Sequence, residues 1–176
     1  MRLFIAINFT TDTRNGLLAL RDELRDQSEH GRYSYPENIH LTLAFLGECD
    51  NKQTTAAKAA MDAIVFDPFD IVIERIGRFK RDGGDIWWAG VRESNVLMDL
   101  QKKLVSVLCS NGFALEKRKF SPHITLGREV RTKAVPQTIE PFGETVSQID
   151  LMKSERINGK LTYTPIYWCC KQNKPN

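Results

Sequence analysis

Apolar and polar positions along this chain alternate between two rhythms. Arg2 to Phe9, RLFIAINF, is nearly continuous in apolar strand formers and predicts a strand. Thr11 or Thr13 then caps a helix over 13–28, where Leu17, Leu18, Leu20 and Leu24 recur at helical spacing. Tyr33 to Gly47 predicts an extended run. A second helix over 51–66 carries a stripe of small residues, Ala56, Ala59, Ala60 and Ala63 with Ile64, and Asp67-Pro68 ends it. Segments 69–79 and 85–91 predict a hairpin about Arg81-Asp82-Gly83-Gly84. A third helix over 94–111 shows Val96, Leu97, Leu100, Leu104, Val107 and Leu108 in step, and Asn111-Gly112 stops it. After PHITLGREV, two last strands over 144–157 and 161–169 pivot on Asn158-Gly159, a strong hairpin signal.

Laid side by side, these elements suggest an internal duplication. FIAINF, a helix and a Pro-preceded HLTL make one unit; IWWAGV, a helix and a Pro-preceded HITL make another. Ile5 precedes His40 by 35 positions (40 − 5), and Trp88 precedes His123 by 35 (123 − 88). The repeat predicts two α+β lobes related by a pseudo-two-fold axis. No Pro-, Gly- or Ser-rich linker divides the chain, so residues 1–176 are read as one bilobal domain.

Composition narrows the classes. No apolar run approaches the roughly 18 residues of a membrane span. The opening MRLFIAINFT is too short in its apolar part for a signal peptide and reads as a strand. Cys49, Cys109, Cys169 and Cys170 have spacings that suit neither zinc nor a disulfide framework, so reduced thiols in a cytoplasmic protein are expected. The net charge of +3 permits an anionic partner without demanding one.

Chemistry concentrates in the repeat. The chain has 3 histidines, and two of them, His40 and His123, open the tetrapeptides HLTL and HITL. Successive strand residues point to opposite faces, so His40 shares a face with Thr42, and His123 with Thr125, while Leu41, Leu43, Ile124 and Leu126 suit a core. Two such strands related by a pseudo-two-fold axis would gather two imidazoles and two hydroxyls. One neutral imidazole can activate a nucleophile while a protonated one serves the leaving oxygen, and threonine hydroxyls can donate to phosphate oxygens. The plain alternative is two half-exposed strands in which histidine happens to fall. A metal site is a rival, but threonine is a poor zinc ligand, and neither tetrapeptide has a carboxylate nearby on its His/Thr face. No metal is expected.

Basic residues form two groups. Lys117, Arg118, Lys119, Arg128, Arg131 and Lys133 lie near the second tetrapeptide, opposed by Glu116 and Glu129; Arg75, Arg78, Lys80 and Arg81 lie on the hairpin. Strict alternation puts Arg128 with Leu126, yet Gly127 can bend the backbone and turn it toward the His/Thr face. Phe9 is a candidate base-stacking ring with a core role as its alternative. His30, in QSEHGR, reads as a solvated loop residue.

MRLFIAI, HLTLAFLG and SPHITLGR, in this order, resemble the bacterial branch of the two-histidine phosphoesterases, the RNA 2′,3′-cyclic phosphodiesterases or 2′-5′ RNA ligases. The resemblance spans residues 1 to about 130. It implies a bilobal α+β fold, antiparallel sheets lining a central cleft and helices outside. It further implies hydrolysis of a terminal 2′,3′-cyclic phosphate to a 2′-phosphate, and reversible 2′-5′ joining of RNA ends without ATP, metal or other cofactor. By the same resemblance His40 is the general acid, His123 the general base, and Thr42, Thr125 and Arg128 hold the phosphate. RNA ends such as tRNA half-molecules are the implied partners, and a monomer is expected. Two alternatives stand beside this: a phosphodiesterase of small cyclic nucleotides, and a non-catalytic binder of RNA termini.

Overall fold

A computed structural model describes residues 1–115 and 119–170. Its elements run β1 (Arg2–Asn8), α1 (Thr11–Asp26), β2 (Ser28–Tyr33), a single 3-10 turn (Pro36–Asn38), β3 (His40–Glu48), α2 (Asn51–Asp62), β4 (Phe69–Phe79) and β5 (Asp85–Val91). There follow α3 (Asn95–Ser110), β6 (His123–Thr132), β7 (Gln137–Val146), β8 (Gln148–Ile157) and β9 (Lys160–Cys170).

The strands form one antiparallel sheet in the order β7-β4-β5-β6-β3-β1-β8-β9, with β2 added to β6. Its two halves, β6-β5-β4-β7 and β3-β1-β8-β9, meet at the two histidine strands. The junction is narrow: Leu41 pairs with Ile124, the matching residue of the other tetrapeptide. A pseudo-two-fold axis therefore runs between these two residues, and the sheets of the two lobes are continuous through it.

The helices cover one face. Leu17 and Leu24 of α1, Ala57, Ala60 and Met61 of α2, and Leu97, Leu104 and Leu108 of α3 are buried with Ile5, Ile7, Leu41, Trp87, Ile124 and Leu126 of the strands. The crossover helices interlock the lobes. α1 follows β1 yet packs on β6 and β7, where the Phe142 ring fits against the bare Cα of Gly16. α3 follows β5 yet packs on β3, and Gln101 Nε2 donates to the Leu43 carbonyl at 3.3 Å.

Several expectations need correction. Asn8 pairs with His40 and Gly90 with His123, so the repeat aligns Ile5 with Trp87 rather than Trp88. A one-residue slip exchanges the faces of a strand; Ile5 and Trp87 are both buried in the core, whereas Trp88 lies on the opposite face beside Thr125. His30 is exposed but lies in β2 rather than a loop. The α1 cap is Thr10, whose hydroxyl donates to Glu144 at 2.7 Å. α2 ends at Asp62, ahead of Asp67-Pro68. β7 was not anticipated, because its polar run contains Pro141. A proline is tolerated here because β7 is an edge strand and Pro141 falls within its register shift against β4. Asn158 and Gly159 both take positive φ, 50° and 79°, as the β8–β9 turn requires. Among the described residues no helix is long and apolar enough to cross a membrane.

Candidate active site

The face of the sheet left uncovered by helices carries both histidines. The Leu41–Ile124 pair has its side chains in the core, so one step to either side the same register sets His40 opposite Thr125 and Thr42 opposite His123. Pairing stops at that one residue pair, and the four polar side chains flank the axis on the open face.

Each imidazole is held in the same way. His40 Nδ1 lies 2.7 Å from the Asn38 carbonyl oxygen, and His123 Nδ1 lies 2.7 Å from that of Ser121, in both cases two residues back. A carbonyl oxygen only accepts, so Nδ1 carries the hydrogen in both rings. Nε2 is left as the position that gains and loses a proton. His40 Nε2 sits 2.9 Å from Thr42 Oγ1. The backbone behind these carbonyls is anchored: Asn38 Nδ2 donates to the Leu161 carbonyl at 2.8 Å, Lys160 pairs with Glu37, and Ser34 Oγ donates to the Thr125 carbonyl at 2.7 Å. The segment leading into the first histidine is thus bonded to the strand of the second.

Aromatic rings wall the site. Phe4 and Tyr163 stand 4.9 and 5.2 Å from the His40 ring, and Phe79 stands edge-on 5.1 Å from His123. Trp88 packs on Phe79 at 5.4 Å. Burial among these rings holds both imidazoles below their ordinary pKa of 6.5, against the carbonyl hydrogen bonds, which act in the opposite direction. The positive charge of Arg128 depresses both further, and His123 adds to the effect on His40.

Arg128 therefore lies within electrostatic reach of both rings. The backbone achieves this with a bulge: Trp88 pairs with Thr125 and Trp87 with Gly127, so Leu126 is an extra residue, and Gly127, opposite the buried Trp87, leaves Arg128 on the histidine side. Phe9 is different. It is buried in the core, 3% exposed, and its ring is not available to a base. Arg78 is committed to Asp85 at 2.9 Å. Glu116, Lys117 and Arg118 lie outside the described residues.

Two further residues belong to this face: Arg75, read from sequence only as one of a basic group on the hairpin, and Phe45, which was not singled out. Arg75 pairs with Gly90, the partner of His123, and its stem lies where a Gly90 side chain would be, 2.8 Å from an ideal Cβ. Phe45, 68% exposed, pairs with Phe4 on the histidine side. Regular alternation would place Phe45 with Leu41 and Leu43 in the core; a register shift between the Ala6–Thr42 and Ile5–Ala44 pairs reverses it. Gly127 marks the bulge beside Arg128 in the sequence; the one beside Phe45 has no such signal.

This geometry can be set beside known proteins. The family model described as LigT like Phosphoesterase matches residues 7–88. The RNA 2′,3′-cyclic phosphodiesterase of Escherichia coli is 32% identical over 170 residues, covering 94% of this chain and 93% of that one. This chain belongs to that family. The enzyme of the same name from Geobacillus stearothermophilus is 28% identical over 93% of the chain, which spans only 54% of that longer protein. The crystal structure of Escherichia coli LigT complexed with 3′-AMP superposes with a TM-score of 0.85 at 26% identity, covering 98% of both chains. The family's mixed architecture with a large antiparallel sheet is the one described above.

Proposed function

We propose that this LigT-like phosphoesterase opens the 2′,3′-cyclic phosphate at an RNA end to a 2′-phosphate, using its two histidines as base and acid. The observation that carries the reading is the Leu41–Ile124 register, which sets His40, Thr42, His123 and Thr125 about one axis on one face. Two Nε2 atoms on opposite sides of that axis suit attack and departure at opposite sides of one phosphorus. The 3′-AMP in the Escherichia coli relative supports a nucleotide phosphate as the occupant.

In this mechanism, with the roles that the resemblance implies, neutral His123 accepts a proton from water at Nε2 as the water oxygen bonds to phosphorus. The P–O3′ bond breaks, and protonated His40 delivers its Nε2 proton to O3′. Thr42 and Thr125 donate to the non-bridging oxygens, and Arg128 offsets the charge that grows on them. Acid and base each contribute about 10²–10⁴-fold, ample for a strained five-membered ring. With an RNA 5′-hydroxyl in place of water, the same proton transfers form a 2′-5′ phosphodiester. That reaction uses the ring strain and needs no ATP. RNA ends such as tRNA halves are the proposed substrates.

The test is incubation of the protein with an RNA ending in 2′,3′-cyclic phosphate, in EDTA, with mapping of the product. A terminal 2′-phosphate is expected. A 3′-phosphate would reverse the histidine roles, and absence of product would remove the phosphodiesterase reading.

A further inference from the structure

Strand pairings trace one transverse row across the first lobe: Thr42 of β3 pairs with Ala6 of β1, Ala6 with Asp150 of β8, and Asp150 with Trp168 of β9. Directly paired residues share a face, so Trp168 stands on the same face as the histidines. Trp168 is 62% exposed. Three strand spacings separate it from Thr42, about 14 Å.

The ground between holds Ala6, buried with Phe4 and Met152 against Tyr163, and beyond it a hydrogen-bonded polar set. Asp150 is 5% exposed and accepts from Asn8 Nδ2 at 2.7 Å and Gln148 Nε2 at 2.6 Å. The Asn8 amino group also meets Met152 Sδ at 3.3 Å. A carboxylate only accepts, so Asp150 fixes the Asn8 amide with its amino group inward. The Asn8 carbonyl oxygen is left as an acceptor beside His40, its partner in register.

We infer that Trp168 is a stacking platform for the base one nucleotide upstream of the cyclic phosphate, so that the site grips an RNA end in preference to a mononucleotide. The inference rests on the phosphodiesterase reading above and deepens it. The base of the terminal nucleotide is joined to the cyclic phosphate through one ribose and does not span three strands. The next base, one phosphodiester further on, does. Stacking on an exposed aromatic ring is tolerant of sequence, as suits an enzyme that reads ends. A protein-docking role would call for a contiguous exposed apolar patch; the residue paired with Trp168, Asp150, and the adjacent Gln148 are polar, and the apolar Phe4, Ala6 and Met152 of this face are buried.

The experiment compares wild type, Trp168→Ala and Trp168→Phe on a nucleoside 2′,3′-cyclic monophosphate and on a short RNA with the same terminus, with thermal melts as the fold control. The expected result is a loss of about 10-fold in kcat/KM for Trp168→Ala on the RNA alone. The monophosphate rate should be unchanged, and Trp168→Phe should keep most of the RNA rate. Equal losses on both substrates, or no loss on the RNA, would overturn the platform and leave the phosphodiesterase reading standing. Failure of the wild type on both substrates would overturn the phosphodiesterase reading itself.

Discussion

Leu41 and Ile124, the second residues of the two tetrapeptides, pair with each other across the β3–β6 junction. This contact between two buried aliphatic residues places the polar chemistry on the other face. Because the partners are equivalent by pseudo-symmetry, each histidine lies across from the other half's threonine. A near-symmetric site of this kind offers two equivalent imidazole positions, and the proposed mechanism sets one phosphate between them.

Removing either Nε2 should be severe. His40→Ala and His123→Ala should each lower turnover of a cyclic-phosphate RNA by about 10²-fold or more while the melting transition survives. Steady-state kinetics and circular dichroism on the same preparations decide it. A single mutant with wild-type turnover would remove the two-histidine mechanism.

One imidazole must be neutral and the other charged, so kcat/KM should be bell-shaped in pH. Burial and Arg128 lower both pKa values, so the maximum should fall on the acid side of 6.5. A bound phosphate anion favours the imidazolium, which moves the kcat profile to higher pH than that of kcat/KM. A rate that climbs steadily from pH 5 to 9 would contradict this.

Arg128 acts on both rings at once. Arg128→Ala removes a positive neighbour, so both apparent pKa values should rise and the bell should shift toward higher pH. The rate should drop about 10²-fold as phosphate contacts are lost. Superimposable pH profiles for mutant and wild type would place Arg128 away from the chemistry.

The same shifts bear on stability. A histidine whose folded pKa lies below its unfolded value leaves the unfolded chain binding more protons, so stability is lost as pH falls through the ordinary histidine range. The melting temperature should decline between pH 7 and 5, and His40→Gln with His123→Gln should flatten that decline. Parallel slopes in wild type and double mutant would assign the decline to other groups.

Turnover should be unchanged after dialysis against EDTA, since protein side chains alone move the protons in the proposed mechanism. Loss of rate in EDTA with recovery on added zinc would replace it with a metal-assisted one.

Much of this was legible in the chain itself. Period-two alternation in HLTL and HITL assigns Leu41 and Ile124 inward and the His/Thr members outward, and the 3.6-residue spacing of leucines marks α1 and α3. These are local properties, carried by side-chain chemistry within a few residues of one another. Elsewhere tertiary packing overrode local pattern. Phe9, which the sequence left open to base stacking or to a core role, is closed into the core, whereas Phe45 sits in an apolar run and is turned outward by a register shift.

The sequence by itself determined the fold class, the repeated units and the identity of the two histidines, because those follow from periodicity and residue type. Only the tertiary structure decided which residues face each other: Leu41 with Ile124, Trp168 in line with Thr42 through Ala6 and Asp150, and Arg128 within electrostatic reach of both imidazoles. The physical reason is register. Pairing between distant strands and the bulges that shift it are set by how the whole sheet closes over one core, and a slip of one residue would exchange every side chain between core and cleft.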